Sequence, residues 1–308
     1  MVRRVMVIGD KGQLGGEVMA MADQLPYELL RASTHGIDIT QRDALHRYLD
    51  DADCDAVINC AAYTAVDRCE SEEGLATEVN ANGPQYMAEW AKLRNASLLH
   101  VSTDYVFPGD KTLFEAYQET DDTGPVNAYG RSKLAGEQAI GSTMTGNFAI
   151  LRTAWVYGVH GHNFLKTMLR LALADAEREL KIVDDQYGSP TWTFRLAEQM
   201  AALLKTIDSD ESVVGVLHAT AGGYCSWYEF AAEFFQLMGV KANIRPCTTE
   251  EYPTPARRPS NSILENARLE RSGLNCFDDW RPALAAFVAR HGDQLMREAH
   301  EAIQLSKA

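Results

Sequence analysis

No stretch of this chain reaches the roughly 18 consecutive apolar residues that a membrane-crossing helix needs, so none is expected. The N-terminal run Val5-Met6-Val7-Ile8 is too short for the apolar core of a secretion signal and leads straight into a glycine turn. A cytoplasmic protein with no membrane partner is therefore expected. Cations are scarce: 29 Lys and Arg face 43 Asp and Glu, a net charge of −14. Non-specific binding to DNA or RNA needs clustered cations, so no nucleic-acid partner is expected. The balance still allows an anionic substrate held by a local cluster. The most cationic short patch is Tyr252-Pro-Thr-Pro-Ala-Arg-Arg-Pro-Ser260, a loop by its prolines. Cysteine is sparse as well. Cys54, Cys60, Cys69, Cys225, Cys247 and Cys276 show no metal-type pairing, and in a chain this long they read as reduced, buried thiols rather than a disulfide framework.

What is present suits a large core. Chains of about 300 residues bury roughly 75% of their unfolded surface. The 308 residues, 46% hydrophobic and 23% charged, fit one large domain or one large plus one small. The first half alternates short apolar runs with helical patterns. Strands are predicted at Val5 to Ile8, Tyr27 to Ala32, Ala56 to Cys60, Ser97 to Ser102 and Phe148 to Arg152. Helices are predicted at Leu14 to Leu25, over Glu70 to Arg94 with a break near Gly83-Pro84, and at Tyr129 to Ile140. Such alternation implies an α/β fold, a Rossmann-type doubly wound parallel sheet with helices on both faces. Ligands of such sheets bind at the carboxyl ends of the strands. Gly9, Thr64, Thr103 and Thr153 all follow apolar runs and converge there in this reading. The second half is less regular, with helices at Phe164 to Ala176, Phe194 to Thr206 and Trp227 to Met238 and a further strand of the main sheet at Val216 to Ala219. A dinucleotide-binding domain is expected over 1–153, with returns near 182–220. A smaller α/β substrate-binding region over 154–308 interleaves with it.

The chemistry gathers around three motifs. Gly9-Asp-Lys-Gly12-Gln-Leu-Gly15 follows a strand and opens a helix. Its glycines allow a tight turn and close approach of a diphosphate to the helix N-terminus, although the spacing is Gly-x-x-Gly-x-x-Gly. The end of strand two usually reads the cofactor ribose: an acid there favours NAD, whereas an arginine tolerates the 2′-phosphate of NADP. Here Leu29-Leu30-Arg31-Ala32-Ser33-Thr34 carries no acid, so Arg31 leans the expectation to NADPH, with NADH as the alternative. Asp38-Ile39, a little later, is an acid–apolar pair able to frame the adenine. Thr103, in Ser102-Thr-Asp-Tyr105, ends strand four with a hydroxyl able to polarise a carbonyl. Tyr129 and Lys133, four apart, share one helix face. An ammonium beside a phenol favours the phenolate, and a phenol so tuned can protonate a carbonyl oxygen as hydride arrives at carbon. Together these features look like a nicotinamide-dependent carbonyl reductase of the short-chain dehydrogenase type.

The resemblance narrows further. Gly12-Gln-Leu-Gly15, Asn59-Cys-Ala-Ala-Tyr-Thr-Ala-Val-Asp67, Ser102-Thr-Asp-Tyr-Val-Phe-Pro-Gly109 and Tyr129-Gly-Arg-Ser-Lys-Leu-Ala-Gly-Glu137 stand in order. Arg152-Thr-Ala-Trp-Val-Tyr157, Asn163-Phe-Leu-Lys-Thr-Met168, Asp185-Gln-Tyr-Gly-Ser-Pro-Thr191 and Pro255-Ala-Arg-Arg-Pro259 follow. The chain resembles, nearly end to end, the dTDP-4-dehydrorhamnose reductase family of extended short-chain dehydrogenase/reductases. That resemblance implies reduction of the C4 ketone of dTDP-4-dehydro-L-rhamnose to dTDP-L-rhamnose, so a dTDP-sugar is the expected small-molecule partner. It implies Tyr129 as proton donor, Lys133 as the residue that holds the nicotinamide ribose and tunes Tyr129, and Thr103 in the serine position of the triad. Gly12, Gln13 and Leu14 would line the diphosphate, and Asp38, Ile39, Ala62, Tyr63 and Thr64 would complete the cofactor groove. Thr103, Asp104 and Trp155 would contact the sugar, and Arg257 and Arg258 would suit the substrate diphosphate. Some members carry magnesium at a dimer interface. Glu17 matches one such position, but Trp192-Thr-Phe-Arg195 supplies no partner acid, so no metal is expected, while a homodimer is allowed. Two other readings stay open: another nucleotide-sugar 4-ketoreductase or an epimerase, and a non-catalytic subunit like the regulatory subunit of methionine adenosyltransferase.

Overall fold

A computed structural model describes residues 3–32 and 36–306 of the chain. Ser33 and Thr34 of the Arg31 run lie outside the described residues. Strands β1 (Arg3–Ile8), β2 (Tyr27–Arg31), β3 (Ala56–Asn59), β4 (Ser97–Thr103) and β5 (Phe148–Thr153) join Gly215–His218 in one six-stranded parallel sheet. The strand order is β2-β1-β3-β4-β5 and then Gly215–His218. Every residue of β3 and β5 is buried, as expected where helices cover both faces of a parallel sheet. One core lies on the face of α1 (Gln13–Ala20) and Thr193–Thr206; the other lies under α2 (Arg42–Ala52) and Gly83–Arg94. The strand order reverses between β1 and β3, which puts the natural ligand crevice at their carboxyl ends.

The second half builds its own core. Phe164–Ala174, Trp227–Met238 and the 26-residue helix Trp280–Leu305 pack around Tyr157, Trp192, Phe230, Trp280 and Phe287. Leu180–Val183 pairs in parallel with Ile244–Cys247 beside them. The chain crosses back twice. Thr193–Thr206 packs on the α1 face and Gly215–His218 extends the main sheet beside β5.

Some sequence expectations shift. The helix expected over Leu14 to Leu25 ends at Ala20, after which Ala22–Gln24 forms a single tight turn. The Glu70 to Arg94 pattern breaks before Glu73, not at Gly83-Pro84. A π-helical turn over Glu78–Asn82 runs straight into Gly83–Arg94, because Pro84 stands where a helix start tolerates the missing N–H. Among the described residues no helix is long and apolar enough to cross a membrane.

Candidate active site

The glycine turn forms by close packing at the end of β1. Gly9 has φ of +83°, and a side chain there would meet the Ala61 backbone. A Cβ on Gly15 would sit 2.2 Å from the Gly9 carbonyl, so α1 starts flush against β1. Gly9 and Gly15 thus shape the turn from behind, while Gly12, Gln13 and Leu14 face a cleft of about 640 Å³. Ala62 and Thr64 line it from the end of β3, and Thr103 and Asp104 from the end of β4. Tyr129, Lys133 and Trp155 complete the expected set.

Tyr129 and Lys133 are placed by the helix Ala128–Thr143. Asn127 caps it, its Oδ1 accepting from the Gly130 N–H at 2.8 Å. Gly130 has no room for a side chain, which would come within 2.1 Å of the Tyr105 carbonyl. The helix therefore lies directly on the turn that follows Thr103. Asn80, buried in the π-helical turn, bonds both backbone groups of Tyr63 and donates to Ser132 at 3.0 Å, tying the Thr64 loop to the same helix. Turns of this kind recur at functional sites.

Lys133 is 1% exposed and donates to the Val101 carbonyl at 2.6 Å. Burial lowers its pKa from 10.5 to about 8. Burial likewise pushes the Tyr129 phenol up; the Asp104 charge adds to this and the Thr103 hydroxyl opposes it. The ammonium was expected to lower that phenol. Here desolvation wins, because the phenol is buried and the Lys133 Nζ is directed to the Val101 carbonyl and His100. Thr103 donates to Asp104 Oδ1 at 2.8 Å. Asp104 is 3% exposed, its Oδ2 has no partner, and burial raises it from 3.8 to about 6 against the pull of Ser262 and Thr103. The Thr153 hydroxyl, also in the cleft, is a second buried polar group without a partner. Unpaired polar groups at the floor of a cleft are suited to a polar ligand.

The other expected residues lie elsewhere. Arg31 is exposed, with its guanidinium 3.5 Å from the buried Asp10 carboxylate beside the glycine turn. Asp38 is exposed and accepts from Thr40, and Ile39 is in the core. Tyr63 turns its hydroxyl to Glu72. None of these four lines the cleft. Arg258 lines a second cavity of about 390 Å³ with Asp67, Lys181 and Gln186, and Trp227 borders both cavities. Its guanidinium grips the Asp67 carboxylate by two bonds of 3.0 Å. Arg257 is exposed and lines neither cavity; its carbonyl accepts from Asn127. Sequence reading missed Trp227, Gly161 and His162, which reach the cleft from the second half. Each depends on packing between distant segments, which leaves no local pattern.

The family described as the RmlD substrate binding domain matches residues 3–292. The chain belongs to this family. It is 40% identical over 291 residues to a dTDP-4-dehydrorhamnose reductase of Mycolicibacterium smegmatis, covering 94% of this chain and 86% of that protein. It is 36% identical to a dTDP-4-keto-6-deoxy-D-glucose reductase of Streptomyces niveus, over 96% and 100% of the two chains. A solved dTDP-4-dehydrorhamnose reductase from Bacillus anthracis, in complex with NADP, superposes with a TM-score of 0.88 at 36% identity, over 94% of this chain and all of that one.

Glu17, the position that the resemblance links to magnesium, is already engaged by a hydroxyl, and Trp192-Thr-Phe-Arg195 beside it supplies no second acid. Such an ion needs several oxygen ligands. Glu17 is buried and accepts from the Thr193 hydroxyl at 2.9 Å, and Arg195, paired with Glu198 and Asp278, brings a cation to the region.

Proposed function

We propose that the protein reduces the C4 ketone of dTDP-4-dehydro-L-rhamnose to dTDP-L-rhamnose with NADPH, the last step of dTDP-rhamnose biosynthesis. The carrying observation is the convergence of Thr103, Tyr129 and Lys133 in one cleft with the glycine turn, in a member of the RmlD family. The dinucleotide fits this cleft by the open turn at the N-terminus of α1 and by the unpaired polar atoms at its floor. In this reading Gly12, Gln13 and Leu14 hold its diphosphate, Ala62 and Thr64 flank it, and Lys133 reaches its ribose. Arg31 suits the 2′-phosphate. Residues 1–153, with the returning segments 193–206 and 215–218, form the dinucleotide side; the remainder forms the sugar side.

When bound, the dinucleotide supplies hydride to the ketone carbon. Tyr129, kept protonated by its burial, gives its proton to the ketone oxygen. The Thr103 hydroxyl turns its proton from Asp104 to the same oxygen and polarises it. Asp104 and Trp155 hold the sugar, and Arg258 of the adjoining cavity meets the substrate diphosphate. The six cysteines, none in a disulfide, suit a reducing compartment, the cytoplasm.

The 36% identity to a dTDP-4-keto-6-deoxy-D-glucose reductase favours one second reading, the same chemistry on another dTDP-4-keto sugar. Following NADPH absorbance with each ketosugar separates the two. Faster oxidation with dTDP-4-dehydro-L-rhamnose, and slower oxidation of NADH, is the expected result. Turnover with neither sugar, in protein that binds NADPH, would overturn both readings.

A further inference from the structure

Beneath the cleft, three buried side chains run in a line from β3 through β4 to the helix Ala128–Thr143. Asn59 and His100 are fully buried and Lys133 is 1% exposed. Asn59 Oδ1 accepts the Ala61 N–H at 3.0 Å. That fixes the orientation of its amide, so Nδ2 is the atom 3.0 Å from His100 Nδ1. An amide NH2 only donates. His100 Nδ1 must therefore accept, and the neutral ring carries its proton on Nε2. Burial holds His100 far below its usual pKa, which excludes the doubly protonated ring.

His100 Nε2 faces Lys133 Nζ at 3.3 Å. An ammonium has donors only, so an Nε2–H opposite it would set donor against donor in a buried place. A neutral amine offers a lone pair instead. The chain then runs donor to acceptor at each contact: Asn59 donates to His100, His100 to Lys133, and Lys133 to the Val101 carbonyl. The other ionisable groups around Lys133 are Cys60 after β3, Tyr129 on its own helix, and Glu137 one turn on, whose charge is matched by Arg152 of β5.

We propose that Asn59 and His100 are positioning residues that let Lys133 stand as a neutral amine in alkaline solution, and that Lys133 there takes up one proton when the dinucleotide binds. The inference rests on the dinucleotide reading above. Lys133 lines the cleft, where a bound anion favours its charged form. Protonation breaks the His100 contact and releases Nζ toward the cleft. Because burial brings Lys133 to about 8, the amine predominates above that pH and the uptake grows as pH rises through it.

The test is calorimetry of NADPH binding in two buffers of different ionisation enthalpy, with nitrogen-15 NMR of the His100 ring. At about pH 9, uptake approaching one proton per site is expected, falling close to zero near pH 6.5, with the His100 proton on Nε2. Asn59→Asp accepts from Nδ1, turns Nε2 into an acceptor and favours the ammonium; in that variant the uptake at pH 9 falls to less than half. A wild-type His100 proton on Nδ1, or NADPH binding at pH 9 without proton uptake, would overturn the proposal even if the variant failed to fold. No NADPH binding at any pH would overturn the dinucleotide reading, and the uptake with it.

Discussion

Trp155 and Trp227 lie face to face, with ring centroids 3.6 Å apart and planes within 7°. Trp155 has φ of +48°, a left-handed conformation that a bulky residue rarely adopts and that costs of order 1–3 kcal/mol. Two contacts hold it there: the Trp227 stack, and Gly188, where a Cβ would come within 2.4 Å of the Trp155 indole. The pair walls the cleft on the side of the second half.

Gly188→Ala should therefore act on the sugar without touching the dinucleotide. We expect KM for the nucleotide sugar to rise about tenfold or more, equivalent to about 1.4 kcal/mol. NADPH affinity measured by fluorescence should stay within about twofold. Trp227→Ala should act in the same direction. Loss of NADPH affinity instead would show that the stack supports the dinucleotide side.

Removing the Tyr129 hydroxyl tests the proton donor. Tyr129→Phe should lower kcat by about 10²- to 10⁴-fold, the usual worth of a placed general acid, with NADPH binding and thermal unfolding unchanged. Near-normal turnover would assign the proton to another group.

Glu137 and Arg152 form a buried ion pair, 3% and 5% exposed, with a 2.7 Å contact. Ser102 donates to the same carboxylate, so the pair anchors the end of β4 just before Thr103. Glu137→Gln strands the guanidinium in the interior and should cost about 3–5 kcal/mol in denaturant unfolding. A change below about 1 kcal/mol would show that water reaches Arg152.

Much of this site was legible in the sequence because its residues sit in local patterns. Tyr129 and Lys133 are one helical turn apart, and Thr103 closes an apolar run that is a buried strand. The glycine turn is likewise a contiguous motif. Other parts left no such trace. Trp227 meets Trp155 only through the packing of the second half. His100 stands between Leu99 and Val101 in a buried strand, where a histidine reads as core. The helix Arg42–Ala52 escaped notice because only Leu45 and Leu49 among its residues are buried, too sparse an apolar stripe to signal. Arg257 and Arg258 were indistinguishable as neighbours in one loop, yet Asp67 draws only Arg258 inward.

The buried Asp104 makes stability depend on pH in a definite direction. Its pKa is raised from 3.8 to about 6, so the folded chain holds this proton more tightly than the unfolded one. Its contribution to stability is therefore fullest below about pH 4 and declines as pH rises through 6. Asp104→Asn should stabilise the protein at pH 8 by at most about 3 kcal/mol, at about 1.4 kcal/mol per pH unit. The difference from wild type should close as pH falls below about 4. Equal stabilities at pH 8 would show that Asp104 is solvated.

Arg31 stands beside the glycine turn, 3.5 Å from Asp10. Arg31→Ala should raise KM for NADPH by about tenfold and leave that for NADH nearly unchanged, as read from paired initial-rate series. Equal effects on both would remove Arg31 from recognition of the 2′-phosphate.

The most direct test of the account is the fate of the transferred hydrogen. The protein is given NADPH carrying deuterium at the reactive position of the nicotinamide, together with dTDP-4-dehydro-L-rhamnose, and the product is read by NMR. The account predicts dTDP-L-rhamnose with deuterium at C4, formed by wild type and largely lost in Tyr129→Phe. Deuterium at another carbon, or a product formed without it, would contradict the account.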